Sequence, residues 1–422
     1  MDIMILALSR WDGKYSSTIL SLAKVFAREH RVFYLDNPFT IKDVLLGLGT
    51  RQIWRRLPAL LFGWNSFSRP IPGIPNFVVV TPRMTWSINW LPKGKLFHAL
   101  ARINDKIVFH VISKTINKFQ LRDFAYINSF NPLYGNHFPD DFWPRPSIYH
   151  CVDDISKSPY VAKHGTREEK VAAQKADLVV TTSGELARLK SDQNDQVEVI
   201  PNAADVRLFQ RAMNETLSVP PELSKLPKDK KVVVYCGNIC HRLDYQLLVK
   251  IAERLTNHIL LMVGPISSDA YRQHRLHKHA NVVFTGKKKL EQLPAYLQHS
   301  HCAIIPFLCN TLTRSIYPLK VNEYLSAGKP VVTTPFSEEI KGFGGVVSVA
   351  DSHEAFIREV RQSIIMDDDY KQEMRMEFAA SNSWEDRASK FLKVLTKQRS
   401  WQNTPNPIQT DASNPTRNLS DC

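Results

Sequence analysis

Tyr317-Pro318-Leu319-Lys320-Val321-Asn322-Glu323-Tyr324-Leu325-Ser326-Ala327-Gly328-Lys329-Pro330-Val331-Val332 predicts one short helix delivered into a buried strand. Pro318 fits the first helical turn, where its missing N–H costs nothing. Gly328 fits a left-handed stop, and Pro330 prevents the helix from continuing. Lys320 and Glu323 lie three apart and share one face near the helix start. The first-turn amides there favour an anion. A lysine for phosphate and a carboxylate for hydroxyls, set beside such amides, suit a nucleotide-sugar, with diphosphate on one side and ribose on the other. The plainer alternative is a surface helix with an intrahelical ion pair.

Outward from this stretch, strands and helices alternate along the whole chain. The first half reads as strand Ile3–Leu8, a loop through Gly13, and a helix from Ser16 to Arg28 with apolar residues at helical spacing. Strands Arg31–Leu35, Phe77–Thr81, Phe124–Asn128, Ser147–Cys151, Leu178–Thr181 and Val197–Ile200 follow. A polar, Pro-rich connector, Leu217–Asp229, precedes a second series: Lys231–Cys236, Ile259–Val263, Val282–Thr285, Ala303–Pro306, Pro330–Thr333 and Gly345–Val349. Helices Leu243–Leu255, Leu290–Gln298 and Pro318–Ala327 lie between them. The alternation implies an α/β protein of two doubly wound parallel sheets. Ligands of such sheets bind beyond the carboxyl ends of the strands. The expected domains are residues 1–203 and 204–382, then a C-terminal helix 383–397 returning to the first domain. Residues 398–422, rich in Asn, Thr, Pro and Ser, read as a disordered tail.

Composition sets the limits. The chain has 422 residues, room for two substantial cores, with 43% hydrophobic and 23% charged residues. No apolar run approaches a bilayer-spanning length. The chain enters a strand at once, with no signal-peptide pattern. Six cysteines lack framework spacing, which points to a reducing, cytoplasmic compartment. Cys236, Cys240 and His241 have no second ligand cluster beside them, which argues against zinc. The net charge of +14 suits phosphate-bearing substrates or an anionic membrane surface. Nucleic acid is disfavoured, because neither a recognised module nor a groove-reading basic helix is present.

Residues 42–95 interrupt the alternation. They carry Trp54, Trp64, Trp86 and Trp90 among Arg51, Arg55, Arg56, Arg69, Arg83, Lys93 and Lys95, with Leu57, Leu60, Leu61 and Phe62 adding an apolar patch. Such a mixture suits a peripheral segment on the inner face of a membrane. Aromatic packing on its own domain is the alternative.

Pro201-Asn202-Ala203-Ala204-Asp205, Gly237 through Leu248, Val263-Gly264-Pro265 and the Tyr317–Val332 block together resemble the retaining GT-B glycosyltransferases of family four, the group-one bacterial enzymes of envelope and capsular polysaccharides. The resemblance runs to about Lys397, and its last motif is the most specific. It implies two Rossmann-like domains facing across a cleft. It also implies a nucleotide-sugar donor (UDP- or GDP-linked) on the second domain, a glycan or lipid-linked acceptor on the first, and no cofactor or metal. In that family, two glutamates separated by seven residues serve the donor, the second gripping ribose. Glu323 matches the second, while Ser315 stands at the first. Members with Pro-Leu-Lys before the glutamate often lack the first carboxylate. Ala203 stands where the family usually has glycine.

The resemblance further implies an Arg and Lys pair neutralising the diphosphate after the first strand of the second domain. Only Arg242 fills that pattern, and Lys320 could supply the other charge. Fixed cations stabilise the charge of a departing nucleoside diphosphate. Gly237, Gly286, Lys287 and Leu319 complete the expected donor side, though Lys287 belongs to an ordinary charge run, Lys287-Lys288-Lys289. Asp153 is the expected substrate contact and third catalytic candidate. Gly13, His150 and Asp154 complete the acceptor side, with a buried strand histidine the alternative for His150. Asp153-Asp154 is adjacent rather than spaced and does not form the Asp-X-Asp of metal-dependent transferases. Two rivals share the fold: a nucleotide-sugar 2-epimerase, which would want carboxylates where Ser315 stands, and a non-catalytic nucleotide-sugar-binding scaffold.

Overall fold

A computed structural model describes residues 1–13, 17–142 and 144–402. The tail expected to be disordered lies outside the described residues from 403 onward.

The first sheet has eight strands: β1 (Asp2–Ala7), β2 (Arg31–Leu35), β3 (Phe67–Ser68), β4 (Phe77–Val80), β5 (Phe124–Ser129), β6 (Ser147–Cys151), β7 (Leu178–Thr181) and β8 (Val197–Val199). Their order is β3-β4-β2-β1-β5-β6-β7-β8, parallel except for β3 against β4. The second sheet has six: β9 (Lys231–Cys236), β10 (His258–Val263), β11 (Val282–Gly286), β12 (Cys302–Ile305), β13 (Val331–Thr333) and β14 (Ser348–Val349), ordered β11-β10-β9-β12-β13-β14 and parallel throughout. In each sheet the chain winds one way from its first strand, then returns and winds the other way. The reversals fall between β1 and β5 and between β9 and β12, where a doubly wound sheet opens a crevice at its carboxyl ends.

Both faces of each sheet are covered, which is why the strands are nearly continuous apolar runs. Along β1, Ile3 and Ile5 pack with Ile19, Leu22 and Phe26 of the Thr18–Phe26 helix. Met4 and Leu6 face Val108 and Ile112 of the long Lys95–Phe119 helix on the other side. The Trp384–Gln402 helix leaves the second domain and buries Trp384, Ala388, Phe391 and Leu395 in the first domain's core. Phe391 meets Phe26 edge-on at 5.7 Å. The chain therefore crosses between its halves twice, and its end ties them together.

The Trp-rich excursion forms helices Ile41–Gly47 and Arg51–Phe62, then β3 and β4. Its inner faces make a small core of Phe39, Val44, Ile53 and Leu60. Leu60 and Arg56, expected in the exposed patch, turn inward instead, because Ile53, Arg56 and Leu60 recur at helical spacing on the buried face.

Candidate active site

The Leu319–Ser326 helix is seated on the carboxyl end of β9 by one side chain. The Tyr324 hydroxyl accepts from the Cys236 N–H at 2.8 Å and donates to the Cys236 carbonyl at 3.2 Å. Gly328, at φ +66°, ends the helix in the left-handed region and releases the chain into β13. Lys320 donates to Glu323 Oε2 at 2.7 Å. The intrahelical pair thus exists, but it is no surface ornament, since Glu323 is almost fully buried and both side chains line an interdomain cavity of about 630 Å³.

The opposite wall of that cavity begins where β9 ends. Gly237 donates to Val263 O at 2.9 Å, which brings the β9 and β10 ends into close backbone approach. Gly264 must be glycine: at φ +148°, a Cβ there would lie 1.9 Å from Gly237 O. Gly264 N–H in turn donates to Gly286 O at 3.1 Å, so Gly286 supports the wall from behind. Gly237, Arg242, Lys287, Leu319, Lys320 and Glu323 all line the cavity. Its lining carries six basic residues (Lys24, Arg28, Arg242, Lys287, Lys288, Lys320) against three acidic ones (Asp205, Glu323, Glu385), a balance suited to a polyanion.

Arg242 reaches across to the first domain, its Nη2 lying 3.7 Å from Asp153 Oδ2. Asp153 follows β6, at the carboxyl edge of its sheet. Burial pushes its carboxyl above the ordinary range, and the Arg242 guanidinium pulls it back. This pair joins a catalytic candidate from each half across the cleft.

Other expected residues are placed elsewhere. His150 is a correction: it sits inside the sheet, Nδ1 3.1 Å from Ser129 Oγ, with its ring edge-on to Phe391 at 5.6 Å. Burial lowers its pKa to about 3, which leaves a neutral core imidazole with no access to an acceptor. Ser315 is buried too, its carbonyl accepting from Ser183 Oγ of the first domain at 2.9 Å, and it does not line the cavity. It serves as an interdomain contact, so the donor-side expectation for its side chain is also corrected. Asp154 caps the Ile155–Lys157 turn through the Ser156 N–H. Gly13 lies in an exposed turn, donating to Arg10 O at 3.0 Å, and does not line the cavity.

Sequence reading passed over the first domain's contribution to the cavity. Ser17 and Thr18, at the start of the Thr18–Phe26 helix, line it with Lys24 and Arg28. Ser17 accepts from Leu20 N–H as the N-cap, and Thr18 donates to Asn202 Oδ1 at 2.6 Å. The available signal was the Ser-Ser-Thr run before the apolar periodicity, which marks a helix start able to face an anion. A cavity of about 690 Å³ beside Ile365, Tyr370 and Met374 contains none of the candidate residues.

Two parallel-sheet α/β domains facing across a cavity make this a GT-B fold. Residues 230–365 match the family model for glycosyl transferases group 1. TuaH of Bacillus subtilis (strain 168), whose name assigns it to teichuronic acid biosynthesis as a glycosyltransferase, is 27% identical over 168 residues, covering 38% of this chain and 41% of TuaH. WcaI of Escherichia coli (strain K12), similarly named for colanic acid biosynthesis, is 23% identical over 222 residues, 49% of this chain and 54% of WcaI. The chain therefore spans about half the length of the curated relatives it matches. Among solved structures, an α,α-trehalose-phosphate synthase (UDP-forming) from Burkholderia vietnamiensis superimposes with TM-score 0.69 at 10% identity, over 95% of this chain and 98% of that one. Sucrose-phosphate synthase from Thermosynechococcus elongatus gives 0.64 at 15%, over 95% and 99%. At such identities these two matches speak for the fold alone.

Proposed function

We propose that this chain moves a sugar from a nucleotide-sugar donor to a glycan or lipid-linked acceptor in cell-envelope or exopolysaccharide synthesis, with retention at the anomeric carbon. The observation that carries the proposal is the convergence of Lys320, Glu323 and Arg242 on one cation-rich interdomain cavity, bounded by the close-approach glycines Gly237 and Gly264. Glu323 is assigned to the ribose hydroxyls, and Lys320 and Arg242 to the diphosphate. In the transfer, the bond from the anomeric carbon to the diphosphate oxygen breaks and a bond to the acceptor oxygen forms. The acceptor proton passes to the departing phosphate. The two cations stabilise the charge gathering on that leaving group. Asp153 is assigned to the sugar or acceptor at the cleft's far side.

The relatives' names support a polysaccharide setting. A fold neighbour, a trehalose-6-phosphate protein of E. coli bound with UDP-2-fluoro glucose, makes UDP-sugars the first donors to test. The test is a thermal-shift screen of UDP-, GDP-, ADP- and dTDP-sugars against the wild type and Lys320→Ala/Glu323→Ala. A ligand that binds only the folded protein must raise its apparent stability. A shift with one nucleotide class, lost in the double variant, supports the donor site. The absence of a shift with every nucleotide would sink it. Donor binding without turnover in the presence of true acceptor would favour the scaffold reading instead.

A further inference from the structure

We infer that the outer face of the first domain's excursion is a docking surface for an anionic lipid bilayer. From residue 44 to residue 104 the sequence contains no Asp or Glu and eight basic residues: Arg51, Arg55, Arg56, Arg69, Arg83, Lys93, Lys95 and Arg102. The nearest preceding carboxylate, Asp43, is already engaged by Arg10 at 3.2 Å. Within this acid-free stretch large apolar side chains stand in solvent: Leu46 is 78% exposed, Trp54 62%, Phe62 61%, Trp64 65% and Trp90 72%.

Leu46, Trp54 and Phe62 are displayed on an ordered support. Helices Ile41–Gly47 and Arg51–Phe62 share the core of Phe39, Val44, Ile53 and Leu60, and Met84 N–H donates to Leu60 O at 3.0 Å. On the Arg51–Phe62 helix the outward positions are Arg51, Trp54, Arg55, Pro58 and Phe62, a stripe at helical spacing that mixes apolar and basic groups. Phe62 packs against Trp64 at 5.0 Å between ring centroids. Trp90 donates its ring N–H to Ser87 O, so its polar atom is satisfied while its ring stays outside. Packing therefore accounts for the inner face and, among the described residues, leaves the outer one without a partner. Tryptophan and leucine beside arginine, with no acid among them, complement an interface whose headgroups are negative. No described helix is long and apolar enough to cross a membrane, so the contact is peripheral.

The same helix grips the acceptor side. Arg56 donates to Asp12 Oδ2 at 2.9 Å and to Asp36 Oδ2 at 3.1 Å, and Gln52 donates to Asp12 Oδ1 at 2.8 Å. Docking through the outer face of this helix leaves the loop after β1 on its inner side, one helix away from the lipid surface. On the transferase reading, that location selects a lipid-linked acceptor over a soluble one. Docking itself does not depend on that reading.

The experiment is flotation of the full chain with vesicles of phosphatidylcholine alone or with phosphatidylglycerol at three parts in ten. Donor binding by thermal shift is measured in parallel as the control for folding and for the transferase reading. The wild type is expected to float with the anionic vesicles, less so in high salt, and to stay behind with neutral ones. Arg51→Ala/Arg55→Ala is expected to partition about 30-fold more weakly, a few-fold per basic residue. Trp54→Ala/Phe62→Ala/Trp64→Ala is expected to lose flotation while keeping its donor shift. No flotation of the wild type, equal flotation with neutral vesicles, or flotation undiminished in both variants would each overturn the inference. Self-association through this face without vesicle binding would overturn it as well.

Discussion

Arg242 of the second domain and Asp153 of the first face each other across the interdomain cleft at 3.7 Å. Both side chains are partly exposed, so the pair contributes at most about 1 kcal/mol to stability. Its importance lies in position, because Arg242 also lines the cavity, where on the transferase reading it would exchange the carboxylate for a diphosphate. Arg242→Ala is therefore expected to melt within a degree or two of the wild type. Its turnover should fall about 10²- to 10³-fold, the usual cost of losing one preorganised stabiliser of developing charge. Steady-state kinetics beside a melting curve checks this, and unimpaired turnover would remove Arg242 from the mechanism.

Glu323 offers a cleaner separation of binding from stability. Its carboxylate is held by Lys320 at 2.7 Å and borders the cavity. Glu323→Gln keeps the shape and loses the charge that would accept from ribose hydroxyls. A hydrogen bond to a charged group contributes about 1.5–3 kcal/mol, so nucleotide affinity should weaken roughly ten- to a hundredfold by calorimetry. A Gln variant binding as tightly as the wild type would leave the ribose assignment without support.

The parts of the molecule legible in sequence are those decided locally. Ile3–Leu8 and Lys231–Cys236 read as buried parallel strands because both faces of each are covered, leaving runs with almost no polar interruption. The Pro318-to-Gly328 helix was legible because proline and glycine mark its ends. Arg56 and Leu60 could have been placed from their spacing to Ile53, but the density of arginine and leucine around them masked the periodicity. His150 could not be placed this way. What buries it is Phe391, some 240 residues later, on a helix that returns from the other domain. Lys24 and Arg28 were equally hidden as cavity residues, since only the juxtaposition of two separately wound sheets brings them opposite Lys320.

Gly264 tests the wall of the cavity. A methyl group there would collide with Gly237 O at 1.9 Å, and since the Cβ is fixed by the backbone and the oxygen belongs to it, neither can yield by a rotamer change. Gly264→Ala is expected to cost about 2–4 kcal/mol, in the range of strained-backbone substitutions. Because Gly237 is pushed from its place, donor affinity should fall in whatever fraction remains folded. A variant with wild-type melting would show that the two strand ends are not in contact in solution.

Two buried groups of the first domain should set opposing pH dependences over nearly the same range. Burial raises the Asp36 carboxyl from 3.8 to about 6, with Arg56 opposing the shift. The folded state then binds more protons than the unfolded chain between these values, so Asp36 makes stability fall as pH rises from about 4 to 6. His150 runs the other way. Burial lowers it from 6.5 to about 3, the unfolded chain binds the extra proton, and stability rises with pH through that window. These two contributions offset between pH 4 and 6, while His301, which burial lowers to about 4, adds a further rise with pH. Asp36→Asn should make the curve climb more steeply with pH than the wild type, and His150→Gln should make it climb less steeply or decline. Chemical denaturation across a buffer series reads both signs, and parallel curves for the two variants would show that these groups do not carry the linkage.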